Sequence, residues 1–374
     1  MIPSQRHLFN IPQDITYLNC AYLSPQLKAV TEAGLSGVAA KEQPWRLTPT
    51  DFFTLTEQTR ALFAELIGAR TDDIAIIPAA SYGVSVAARN ISLVPEKDIV
   101  ILEDQFPSNV YSWRELAKEK GAQIKTVSRP QDNDWTAAVL DSIDDNTAVV
   151  AVGVCHWTDG SLIDMVKLGD RCRQVQAALV IDATQSLGAL PFSVPEVQPD
   201  FLIAASYKWL LGPYSLGFIY ANPVYHDGSP LEHSWINRKQ SEDFAGLVNY
   251  RDDFQAGARR FDVGERSNFA LMPMANAALK QILAWQVPEI ATTLAALTEE
   301  ISQRATALSL NVAPAQLRAG HLLGIRFPEG VPEALIDRLA RNRIFVSVRG
   351  NSIRISPHLY NTAEDIDKLF SVLG

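Results

Sequence analysis

Seven short apolar runs mark the first two-thirds of the chain, at 73–79, 98–103, 124–128, 148–156, 178–182, 201–206 and 217–221. Most are too uniformly apolar to leave one face in water, the pattern of strands buried on both sides. Segments 108–120, 136–142 and 163–176 lie between the early runs, with amphipathic helical spacing and a length suited to crossovers. Strand and helix therefore alternate, which predicts an α/β fold: a seven-stranded, mostly parallel sheet sandwiched by helices. From about residue 271 the texture changes to long Ala/Leu/Gln/Glu-rich helices at 273–285 and 288–308. Strands at 321–327, 344–349 and 352–356 follow, then a closing helix at 363–373 for which Asn361-Thr362 supplies a cap ahead of Glu364 and Asp365. This tail predicts a smaller α+β C-terminal domain. The polar stretch 225–264 has no apolar periodicity and reads as a long loop region, functional or interfacial.

The length of 374 residues exceeds one typical core and agrees with two domains. A hydrophobic fraction of 47% with 20% charged residues excludes disordered and fibrous classes. The net charge of −9, with no Lys/Arg cluster, argues against a nucleic-acid partner. Cys20, Cys155 and Cys172 are far apart and lack zinc spacing, which favours reduced thiols in a cytoplasmic setting. The start lacks the apolar core of a signal peptide and no apolar run reaches membrane-span length, so a cytoplasmic protein without a membrane partner is expected. Neither a Gly-x-Gly-x-x-Gly nor a Walker signature is present, which disfavours a plain nucleotide binder.

Ligands of an open parallel sheet gather at the carboxyl ends of its strands. There the chain carries Ala79-Ala80-Ser81-Tyr82-Gly83, small and polar residues opening a helix, suited either to a phosphate or to an ordinary cap by Ser81. Phe106 follows the second run, as a ring over the sheet edge or as core. Asp182 closes the fifth run, and an acid there needs a cationic or donor partner; Gln185 stands three residues on. Tyr207 and Lys208 follow the sixth, with Gly212-Pro213 turning the chain away. A lysine closing an apolar strand loses hydration, so its free amine becomes available for Schiff-base chemistry. A solvated strand-end lysine is the plain alternative.

The ordered set resembles the class V aminotransferase family, the cysteine-desulfurase-like branch of fold-type I pyridoxal-phosphate enzymes. The resemblance runs from Tyr17-Leu18-Asn19-Cys20-Ala21 through Phe106-Pro107-Ser108-Asn109, Asp182-Ala183-Thr184-Gln185 and Ser206-Tyr207-Lys208 to Arg354-Ile355-Ser356-Pro357-His358-Leu359-Tyr360-Asn361-Thr362. It implies a large cofactor domain at 20–265 and a small domain formed by 1–19 and 266–374. It further implies pyridoxal 5′-phosphate bound to Lys208, with Asp182 on the pyridine nitrogen, Gln185 on the ring hydroxyl and Phe106 stacked on the ring. Ala80, Ser81 and Tyr207 would hold the phosphate, and Arg354 would clamp the α-carboxylate of an amino-acid substrate. Segment 264–268, with Ser267, would reach the partner subunit's phosphate, so a homodimer is implied.

Departures bear on the reaction. Desulfurases of this branch need a cysteine shortly before the final arginine, and 344–354 contains none. Phe106 stands where many relatives stack a histidine, and Phe moves no proton. Relatives often show Gly-Pro-x-Gly-x-Gly where this chain reads Gly212-Pro213-Tyr214-Ser215-Leu216-Gly217. Transamination is the leading expectation; a C–S or C–C β-lyase of kynureninase-like kind, an epimerase and a non-catalytic cofactor-binding sensor stay open. Trp45, Arg46, Arg259 and Arg260 fall in loops, as specificity or interface residues.

Overall fold

The computed structural model describes residues 1–374. Its central sheet holds β1 (Ile74–Ile77), β2 (Asp98–Leu102), β3 (Gln123–Val127), β4 (Thr147–Gly153), β5 (Ala178–Asp182), β6 (Phe201–Ala205) and β7 (Gly217–Ala221). They lie in the order β1-β7-β6-β5-β4-β2-β3. Only β7 runs against the rest, because the turn after β6 is too short for the crossover that a parallel return requires.

Successive side chains of each strand enter two different cores. Ile99, Ile101, Val149, Ala151, Val180 and Ile203 meet Val84 and Trp113 on one face. Val100, Leu102, Val150, Val152, Ile181 and Leu202 meet Phe63, Trp135 and Leu168 on the other. Uniformly apolar runs thus bury both faces, each Val, Leu or Ile contributing roughly 1.5 to 3 kcal/mol. A third core joins Leu323, Ile325, Ile353 and Ile355 to Ile301, Ile366 and Leu369. It underlies a four-stranded antiparallel sheet of β8 (Asn311–Val312), β9 (Leu323–Arg326), β10 (Ser347–Arg349) and β11 (Ser352–Ile355), ordered β10-β11-β9-β8. The closing helix Ala363–Leu373 has the expected cap: Thr362 forms a capping box with Asp365. No helix is long and apolar enough to cross a membrane.

Three elements differ from the sequence pattern. The run 344–349 breaks in two: Ile344–Phe345 pairs in parallel with Thr16–Tyr17, whereas Ser347–Arg349 joins β11. The apolar run 148–156 leaves the sheet at Gly153, which faces the last residue of β5, and its remainder turns along the cavity. The pattern also passes over helices Lys28–Ala40 and Thr54–Ile67, on which Leu271–Trp285 packs. Gly34 and Gly37 allow that approach: a Cβ on Gly37 would stand 1.9 Å from the Phe269 carbonyl oxygen.

Ser215 occupies the left-handed region, φ 63°, where a Cβ is strained. Its side chain is exposed, so its removal forfeits no packing. Ser215→Gly is therefore expected to raise stability by about 0.5 to 1 kcal/mol, read as a higher urea midpoint at unchanged m. An equal or lower midpoint would contradict strain at this turn.

Candidate active site

The carboxyl ends of the parallel strands converge on a cavity. β5 delivers Asp182 and, beyond it, Thr184 and Gln185; the chain after β6 delivers Tyr207 and Lys208; Ala80 follows β1; Gln105, Phe106 and Asn109 follow β2; Cys155, His156 and Trp157 follow β4. Ala80, Phe106, Asp182, Gln185, Tyr207 and Lys208 are thus brought together. Arg354 lines an adjoining chamber that shares Phe106, Trp157, Tyr207 and Lys208. Ser81 is exposed at the start of helix Ala80–Asn90, and Ser267 is half-buried; neither lines the two chambers of its own subunit.

Lys208 is 6% exposed. Burial pulls its ammonium down to about 8; the Asp182 carboxylate opposes this, and the Arg354 and Arg349 guanidiniums add to it. Its Nζ lies 5.3 Å from the Phe106 ring centroid and 5.5 Å from that of Tyr207. The solvated strand-end reading is thereby set aside. Asp182 is fixed by the Thr184 N–H, which donates to Oδ1 at 3.0 Å. Thr184 in turn accepts from the Ala205 N–H at 3.1 Å, tying the end of β5 to that of β6.

Gln185 has an unambiguous amide. The Trp209 indole N–H donates to its Oε1 at 3.0 Å, and its Nε2 donates to the Ala21 carbonyl at 3.0 Å. One amide hydrogen is left, so Gln185 offers the cavity a donor.

Helix Ala80–Asn90 starts at the cavity wall with Ala79 as N-cap and no side-chain cap. Ser81 caps nothing, so the first N–H groups, those of Ala80 and Ser81, remain available to an anion together with the positive end of the helix dipole. Asn109 Nδ2, buried at the same cavity, also has no partner, while its Oδ1 accepts from the Trp113 indole at 2.9 Å.

Arg354, on β11, is 1% exposed. Its Nη1 donates to the Trp157 carbonyl at 2.8 Å, whereas Nε and Nη2 are buried without a partner. Burial, with Arg349 nearby, pulls its guanidinium down to about 9. A buried cation with two free donors calls for an anion in the chamber it faces.

Asn109 and Trp157 were not singled out from the sequence; Asn109 stands in the run that begins at Phe106, but nothing local marks Trp157. His156 was missed as well. It is stacked on Trp135 at 5.1 Å, accepts at Nδ1 from Thr158 (2.7 Å) and Arg129 (3.1 Å), and donates from Nε2 to the Glu103 carbonyl (3.0 Å). The Glu103 carbonyl can only accept and the Arg129 guanidinium can only donate, so the ring is the neutral Nε2–H tautomer, in line with burial lowering its pKa. Cys155 donates weakly to the Gln185 carbonyl at 3.6 Å, and burial pushes its thiol up to about 12. The segment before Arg354 is a tight hairpin turn at Gly350-Asn351. Arg259 is held by Glu57 and Asp72, and Arg260 by Asp227 and the Gly228 carbonyl. Neither of these arginines, nor exposed Trp45 and Arg46, lines the two chambers.

The family model described as aminotransferase class-V matches residues 47–369. The uncharacterized aminotransferase YcbU of Bacillus subtilis is 28% identical over 327 residues, 83% of this chain and 81% of its own length. Isopenicillin N epimerase of Streptomyces clavuligerus is 24% identical over 351 residues, 87% of this chain and 86% of its own. The apo structure of cysteine desulfurase from Thermococcus onnurineus NA1 superimposes with a TM-score of 0.85 at 19% identity, covering 100% of this chain and 98% of that one.

Proposed function

Because the chain belongs to the class V aminotransferase family, we propose that it is a pyridoxal-phosphate-dependent aminotransferase working on an amino acid through Lys208. Pyridoxal 5′-phosphate is the family's cofactor, and the unpartnered donors suit it. The N–H groups of Ala80 and Ser81, with the Tyr207 hydroxyl, would hold its phosphate; Phe106 would cover the ring, Asp182 would face the ring nitrogen, and Gln185 the ring oxygen. Bound there, the cofactor supplies an electron sink for the bond broken at the substrate's Cα. Arg354 holds the α-carboxylate with the donors left free at Nε and Nη2.

One observation carries the reading: Lys208 is the single proton carrier left at this cavity. Phe106 holds no proton, His156 is locked neutral, the Cys155 thiol and the Tyr207 hydroxyl are both pushed up to about 12 by burial, and on this reading Tyr207 would be committed to the phosphate and Asp182 to the ring. Transamination needs one base that takes a proton from one carbon and returns it to another on the same face, which a single flexible amine can do. Epimerisation asks for proton delivery on the opposite face, and β-elimination for an acid at the leaving group. Desulfuration through an enzyme persulfide lacks a reactive thiol. We also place Ser267 in the phosphate site of the partner subunit of a homodimer; exposed Trp45, Val248 and Tyr250 supply apolar surface for such an interface.

Purified holo-protein incubated with an amino-acid panel, assayed together for aminated cofactor, pyruvate, ammonia and sulfide, tests this. Aminated cofactor that a keto acid converts back is expected. Pyruvate with ammonia, or loss of optical activity without any keto acid, would replace it with a lyase or an epimerase.

A further inference from the structure

The pairing register of the small sheet puts two arginines on one face. Ser347 stands opposite Arg354 and Arg349 opposite Ser352; since alternate residues of a strand share a face, Arg349 and Arg354 are diagonal neighbours. Arg349 lines the substrate chamber together with Lys208 and Arg354. It also lines a wide polar groove that continues outward past Gln131, Asn133, Asn311 and Arg326. Trp157 borders both spaces, and the Arg349 guanidinium lies 5.4 Å over its ring.

Arg349 has spare capacity. Its Nη1 donates to the Val348 carbonyl at 2.8 Å, and its Nε is buried without a partner. The nearby acids do not neutralise it: Asp159 is paired with Arg129 at 2.5 Å, Glu103 accepts the Arg129 backbone N–H at 2.7 Å, and Asp104 forms no ion pair. The chamber that Arg349 and Lys208 share is also lined by Tyr22, Leu23, Trp157 and Tyr214, a largely apolar surface suited to an aliphatic stem.

Resting on the reading of Arg354 as the α-carboxylate clamp, we propose that Arg349 is a specificity residue for a second anionic group. The substrate class is then an amino acid whose side chain ends in a carboxylate, with its stem along the apolar wall. An amino acid with a neutral side chain would leave the Arg349 guanidinium unpaired at the mouth of the chamber.

Matched ligands test the assignment without turnover. Succinate, glutarate and adipate are compared with butyrate, valerate and hexanoate on the holo-protein, by calorimetry and by Trp157-sensitive fluorescence. Each dicarboxylate that spans both arginines is expected to bind about 10- to 100-fold more tightly than its monocarboxylate partner. Arg349→Gln should collapse that ratio toward one, Arg349→Lys should restore part of it, and Arg354→Gln should weaken both series. Equal binding of the two series by the native protein, no binding of either, or a ratio that survives Arg349→Gln would overturn the proposal. If Arg349→Gln does not fold, the native ratio and the Arg349→Lys ratio decide. Borohydride labelling of Lys208 on the same preparation reports the cofactor reading separately, so failure of either claim is recognised without the other.

Discussion

Replacing Lys208 with alanine is expected to lower turnover by at least about 10⁴-fold, since in the proposed reaction one side chain would supply both the covalent hold and the proton transfer. Cofactor binding should persist, because Asp182, Gln185, the helix start at Ala80 and Ser81, and Asn109 do not depend on the amine. The visible spectrum should shift to that of unattached cofactor, and borohydride should no longer fix a label to the chain. The native protein provides a second reading through pH. Its amine is free only above about 8, so the rate at which apoprotein captures pyridoxal phosphate should rise through that pH and then level off. Stability follows with a definite sign. The folded pKa lies below the ordinary lysine value of 10.5, so between about pH 8 and 10.5 the unfolded chain binds more protons and unfolding becomes harder as pH rises. Below that window the buried charge destabilises the fold in full, and Lys208→Ala should remove this pH slope. Retained turnover, or a label fixed elsewhere, would sink the assignment.

How much of this was legible in the chain depends on which residues a parallel sheet forces together. Side chains just past strand ends share one edge whatever the helices do, so Asp182, Phe106 and Lys208 could be placed from sequence, and Ala80 with them. Their apolar strands carried the signal because both faces are buried. The helix Lys28–Ala40 gave none, since Gly34 and Gly37 stand on the face that meets Leu271–Trp285 and erase its apolar stripe. Trp157 was invisible for another reason. It follows an apolar run that reads as strand through residue 156, whereas the sheet stops at Gly153 opposite the end of β5, and the residues between turn along the cavity. The alliance of Arg349 with Arg354 is a property of hairpin register, which a turn of two residues sets and which composition does not display. Ser215 is the converse case: its departure from glycine was plain in the sequence, and the structure shows a strained φ of 63° at that position.

Arg354→Met should show activity and stability moving in opposite directions. Arg354 is buried with Nε and Nη2 unpartnered, and its only protein acceptor is the Trp157 carbonyl. In the absence of substrate, therefore, the fold carries a desolvated cation whose charge burial pulls down to about 9. Because that value lies below the ordinary 12.5, the folded state holds this proton less tightly than the unfolded chain does, and below about pH 9 the cost is complete. Methionine keeps the stem and removes the charge, so the substrate-free protein should melt at a higher temperature. If Arg354 is the proposed carboxylate clamp, the same change would leave a substrate carboxylate buried without a donor, a loss of about 2 to 5 kcal/mol. Affinity for amino acids should accordingly fall roughly 30- to 5,000-fold, with the cofactor spectrum unchanged. Arg354→Lys should recover only part of that affinity, because an ammonium cannot meet a carboxylate with two parallel N–H donors. Calorimetric titration with the preferred amino acid and a melting curve of each variant settle both halves. If affinity is unchanged, the clamp belongs to another residue; if affinity falls and the melting temperature falls with it, Arg354 serves the fold before it serves the substrate.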